Sequence, residues 1–137
     1  MYDKQVLGME QALAALNAML QEGAKDPDRP LAFAIVDDLG DLVCFARMDR
    51  VNPLPHALAL KKAYTSARMR SDTLAVGERM KTQGRSISDF GDPNLVSVQG
   101  GIVIMGASGP LGGIGVSGRR AEEDEEIARV GLAAMNL

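Results

Sequence analysis

"LAFAIVDDLGDLVCFARM", residues 31–48, decides the fold. Two β-type runs, LAFAIV (31–36) and LVCFARM (42–48), flank the Asp/Gly-rich connection DDLGD, which is the pattern of an antiparallel hairpin. The first run is apolar at every position, so it belongs in the middle of a sheet covered on both faces. The second run alternates. Its period of two predicts Val43, Phe45 and Arg47 on one face and Leu42, Cys44, Ala46 and Met48 on the other.

Upstream of the hairpin, residues 3–22 read as an amphipathic helix, with Asp3 as its cap and Val6, Met9, Leu13, Leu16 and Leu20 as its apolar side. Gly23 stops it, and AKDPDRP is a polar linker with two prolines. Downstream, Pro53 to about Met80 turns helical, in two pieces with a joint near Ser71–Asp72. TQGRSISDFGDPN follows as a polar loop without periodicity. Loops of that length in compact proteins are often functional, which raises the question of whether Ile87–Asn94 shapes a site. Strand character returns in LVSVQGGIVIMGASGPLGGIGVSG, where GIVIM and LGGIGVSG flank GASGP as a second hairpin. RRAEEDEEIARVGLAAM closes the chain as a helix whose acidic first turns suit the positive end of the helix dipole. The expectation is a single α+β domain spanning 1–137, with a mainly antiparallel five-stranded sheet flanked by helices.

The composition sets limits on function. With 137 residues, 46% hydrophobic and 24% charged, the chain is long enough to bury a core without disulfides or metal. A net charge of -3 argues against nucleic acid as a partner. No apolar run approaches the ~20 residues of a membrane span, and the first residues lack a secretory layout, so the chain reads as cytoplasmic. One His and one Cys cannot supply a zinc set, and the Asp/Glu clusters match no EF-hand spacing. No metal site is expected. Cys44 lies in an apolar run and reads as a small hydrophobe.

Gly113, Gly115 and Gly118 spell GxGxxG, but the following strand and acidic residue of a dinucleotide site are missing. A strand whose glycines admit close packing is the better reading.

The remaining chemistry concentrates in NPLPHALALKKAYTSARMRS, residues 52–71. At 100° per residue, His56, Ala59, Leu60, Ala63 and Ala67 fall on the side expected to meet the sheet. Leu58, Lys62, Thr65 and Met69 fall opposite, a semi-apolar face that predicts a pocket or a subunit interface. On that basis Lys62, rather than His56, is the residue expected to meet a ligand.

AIVDDLGDLVCFARMDR, ALALKKAYTSA, QGGIVIM and LGGIGVSGRRAEEDEEIARVG together resemble the GlcG/HbpS family, the haem-degrading domain family also found as the C-terminal domain of PduO-type proteins. The resemblance runs in order along nearly the whole chain. It implies a profilin-like α+β fold that assembles into dimers or larger rings, and it marks Asp37, Lys62, Thr65, Gly100, Gly101, Gly115, Gly118 and Asp124. It also implies either of two functions. The first is a small-molecule-binding accessory protein of a catabolic pathway, with haem or another planar hydrophobic carboxylate as ligand. Lys62, Thr65, His56, Arg47, Gly100 and Gly101 are then the ligand-binding candidates. The second is a cofactor-independent isomerase or lyase acting on a small carboxylate. There Lys62 would hold the anion or act as acid/base, with Arg47, Tyr64 or Asp92 assisting. Lys62, Tyr64 and Asp92 are the catalytic candidates.

Overall fold

The computed structural model describes residues 1–137. The hairpin read from residues 31–48 forms as β1 (Ala32–Asp37) and β2 (Leu42–Arg47). β1 is central, as its uniform hydrophobicity requires: it pairs antiparallel with β2 on one side and with β4 (Gly109–Ser117) on the other. β3 (Gly101–Gly106) completes a second hairpin with β4, and the sheet runs β2-β1-β4-β3, antiparallel throughout.

Helices cover both faces. α1 (Met9–Gly23) and α4 (Ala121–Ala134) lie together on one. There Phe33, Ile35, Ile102, Ile104, Ile114 and Val116 are fully buried against Ala12, Ala15, Met19 and Ala128. Side chains of this size each gain about 1.5–3 kcal/mol on leaving water. The other face carries α2 (Pro53–Met69), and α3 (Thr73–Gln83) follows it. The break between them falls at the predicted joint. Arg70 takes a left-handed conformation with φ 54°, and the chain restarts from Asp72. The Asp72 carboxylate leaves the new helix's N–H groups alone; it accepts from the Val103 N–H on the β3 edge and from Arg129.

The seam under α2 is made of backbone and very small side chains. Ala59, Ala63 and Ala67 meet Ala32, Ala34 and Val36. A Cβ on Gly115 would collide with the Ala59 carbonyl oxygen, and one on Gly113 with the Ala63 carbonyl oxygen and Ser66 Oγ. The close-packing reading of these glycines is the one the structure carries.

Several expectations change. The sheet has four strands where five were expected. Leu95–Val98 forms no strand because its polar groups are engaged elsewhere: the Val96 N–H donates to Thr65 Oγ1, and the segment lies across α3 with the Ser97 carbonyl oxygen against Gly77. α1 starts at Met9 with Gly8 as its cap, not at Asp3. Residues ahead of Gly8 form no regular secondary structure, with Lys4 paired to Asp38. The buried side of α1 is Ala12, Ala15, Leu16 and Met19, while Met9 and Leu13 are exposed. In β2 the register shifts between Ile35–Cys44 and Val36–Leu42. That bulge turns Val43 away from Phe45, to pack with Cys44, Ala46 and Met48 on the α1/α4 side.

Candidate functional site

On α2 the structure encloses the face that the helical wheel turned outward. Lys62 and Thr65 are buried, 1% and 0% exposed, together with Ser66. The outward semi-apolar face built around them in sequence is therefore corrected. α2 is enclosed over a wide arc because the sheet covers one side and residues 95–101 fold over the next. Lys62 Nζ donates to the Val116 carbonyl oxygen at 2.9 Å and to Asp124 Oδ2 at 3.1 Å. Asp124 stands in the first turn of α4, where its other oxygen accepts the Arg119 N–H at 3.0 Å. Burial pushes the Lys62 ammonium below its ordinary value and the Asp124 carboxyl above its own; each charge partly restores the other.

The other candidates near Lys62 serve the same knot. A Cβ on Gly100, which sits at φ 126°, would lie 2.7 Å from Lys62 Nζ and 2.8 Å from the Val116 carbonyl oxygen. Gly101 lies against the Lys62 carbonyl oxygen, and its N–H donates to Thr73 Oγ1 at 2.9 Å. Thr65 Oγ1 donates to the Lys61 carbonyl oxygen while accepting from Val96.

Tyr64 and Asp92, each named in sequence as a separate assistant of Lys62, meet through a 2.6 Å hydrogen bond from the phenol to Asp92 Oδ2. The bond ties the polar loop to α2. It raises the Tyr64 pKa and lowers that of Asp92, because each group holds the proton arrangement of the other. The Arg68 guanidinium lies 5.3 Å from the Tyr64 ring centre and donates to the Leu39 carbonyl oxygen in the β1–β2 turn. A phenol whose proton is already committed and held upward in pKa is a weak proton donor at neutral pH.

Arg47 and His56 meet at the opposite end of α2. His56 is in its first turn and Arg47 ends β2, the edge strand. Arg47 Nη1 lies 3.2 Å from His56 Nδ1. The Phe45 ring, two residues back on the same face of β2, lies 4.6 Å from the imidazole between ring centres, tilted by 48°. Phe45 was not singled out in sequence. The signal was its alternation with Arg47, followed by a Pro-led helix that folds back over the strand. The corner joins an imidazole, an exposed guanidinium and an aromatic ring.

Cys44 is half-buried with its thiol held upward in pKa by burial, which keeps it protonated and unreactive. Two cavities, of about 520 and 530 Å³, lie beside the β3–β4 hairpin and share Met105 and Leu137. None of the expected ligand-binding residues lines either one. No helix is long and apolar enough to cross a membrane.

A four-stranded antiparallel sheet with helices on both faces, a glycine seam under α2 and a lysine–aspartate tie to α4 define a small α+β class of proteins. The chain belongs to the HbpS-like family, described as "haem degrading protein HbpS-like", whose model matches residues 7–133. It is 31% identical over 112 residues to protein GlcG of Escherichia coli K12, covering 82% of each chain. Among solved structures it is similar to a double mutant of Streptomyces reticuli HbpS, at 27% identity and TM-score 0.86, over 97% of this chain and 89% of that one. A PduOC–haem complex matches at 26% identity and TM-score 0.86, over 96% of each chain.

Proposed function

We propose that the protein is a small-molecule-binding accessory protein of a catabolic pathway, working in the cytoplasm as a homo-oligomer. Its ligand is a planar hydrophobic carboxylate, with haem foremost. The observation that carries this reading is the corner formed by Arg47, His56 and Phe45. Its donor set suits such a ligand: an imidazole for a metal, a guanidinium for a carboxylate and an aromatic face for a flat ring system. Haem in the PduOC complex and in the family's description points the same way. Lys62, Thr65, Gly100 and Gly101, expected from sequence to touch ligand, are read here as the frame that fixes α2 beneath the corner. The alternative isomerase or lyase would need a free Lys62, whereas its ammonium is turned to Val116 and Asp124 inside the protein.

Titration with haemin, followed at the Soret band, tests this reading. We expect a saturable shift that His56→Ala abolishes and that Arg47→Ala weakens by ~10-fold, the equivalent of one charge-assisted hydrogen bond. No saturable shift, or an unchanged one in His56→Ala, would refute it.

A further inference from the structure

We infer that Arg47 is a specificity-determining residue that keeps His56 from ligating a metal until the incoming molecule offers a carboxylate. The inference rests on the ligand class proposed above, but its first half concerns the free protein alone. A guanidinium is charged at every accessible pH and has only donors. With Arg47 Nη1 3.2 Å from His56 Nδ1, that nitrogen is the acceptor. A neutral imidazole carries one proton, so it sits on Nε2. In this form Nδ1's lone pair is occupied by Arg47 and Nε2 presents an N–H. The ring can donate a hydrogen bond and cannot give an electron pair to a metal. Phe45, 4.6 Å away across the ring, occupies one side of the imidazole and limits its escape.

Release requires a better partner for Arg47. A carboxylate is one, because it accepts two charge-assisted hydrogen bonds from the guanidinium fork, where Nδ1 accepts a single one. Once Arg47 has turned to the carboxylate, Nδ1 takes a proton from water and Nε2 returns one. The ring's charge is unchanged and the Nε2 lone pair is freed. An iron porphyrin with free carboxylates can therefore unlock the histidine, and the same porphyrin as a dimethyl ester meets it locked. Arg47 thus acts both as a carboxylate anchor and as a lock, and the two roles have opposite signatures for the ester.

His56 is the only histidine, so its ¹⁵N ring shifts can be read without assignment. In the free wild-type protein at a pH where the ring is neutral, we expect the Nε2–H tautomer to dominate; in Arg47→Met we expect the two tautomers to mix. A wild-type ring protonated on Nδ1 would overturn the lock whatever the protein binds. Parallel titrations with haemin and haemin dimethyl ester in one detergent buffer give the second readout. Arg47→Met should bind haemin more weakly than wild type, yet bind the ester about 3- to 10-fold more tightly, since one hydrogen bond no longer has to be broken. Ester affinity that is equal in the two proteins would leave Arg47 a mere anchor and overturn the inference while sparing the proposed function. Failure of haemin to bind either protein would bring down both.

Discussion

At the scale of single residues, the most consequential contact is the one between Lys62 and Asp124. Both side chains are 2% exposed, and the charges are 3.1 Å apart. Each loses several kcal/mol of hydration on burial. The pair is tolerable because every polar atom finds a partner: the Val116 carbonyl oxygen for the ammonium, the Arg119 N–H and the start of α4 for the carboxylate. Lys62→Met removes one partner and strands the other charge. We expect it to lower the free energy of unfolding in urea by about 3–5 kcal/mol. Lys62→Met with Asp124→Asn should recover at least half of that loss, since the amide oxygen still accepts from Arg119. A single mutant within about 1 kcal/mol of wild type would mean that the pair carries little. Lys62's unusual neighbours were legible in the sequence, but their cause was not. Helical periodicity reports which residues share a side of one helix. It cannot show that a carboxylate 62 positions later closes over the same side. Arg47 and His56 were likewise both visible, and their contact depends on the angle at which α2 leaves β2.

At the scale of elements, the α2 seam decides how far the fold can be altered. Gly115 and Gly113 place β4 in direct contact with the α2 backbone. A methyl group there has nowhere to go, because what it meets is main chain and not a side chain that can rotate. Gly115→Ala should destabilise by about 3 kcal/mol or more, at the upper end for overpacking. Gly84 is the contrast. It caps α3 at φ 62° with open space around its Cβ position, so Gly84→Ala should cost only ~1 kcal/mol for the left-handed backbone. Thermal or urea unfolding of the two variants side by side checks this, and equal losses would refute the seam argument. The hairpins, the α2–α3 joint and the glycine seam could all be read from local pattern. The missing fifth strand could not. Leu95–Val98 has strand-like residues, and only the tertiary position of Thr65 takes its backbone out of the sheet. The true start of α1 was hidden by apolar residues on both sides of Gly8.

At the scale of the whole molecule, the expected oligomer acquires a different foundation. Sequence placed the association surface on the Lys62 face of α2, which proves to be enclosed, with Lys62 and Thr65 buried. Exposed apolar groups away from α2 include Val6, Met9, Met105 and Leu137, at 65, 69, 52 and 60% exposure. Val6, Met105 and Leu137 line one cavity, next to β3 at the open edge of the sheet. We expect sedimentation at micromolar concentration to give a dimer or larger assembly, and Met105→Asp to shift it toward monomer with helix content intact. A wild-type monomer under those conditions would refute it.

The order of the strands also bears on how the chain is made. The two hairpins come from opposite parts of the sequence and join only through β1 and β4, in the middle of the sheet. During translation, LAFAIV leaves the ribosome with one neighbour, β2, and waits for β4. At roughly 5–20 residues per second that wait lasts several seconds. For that interval an entirely apolar strand has a bare edge, the kind of template on which nascent chains stick to one another. Yield in the cell should therefore depend on the pace of synthesis between Leu42 and Ser117, even among synonymous messages that encode the same stable protein.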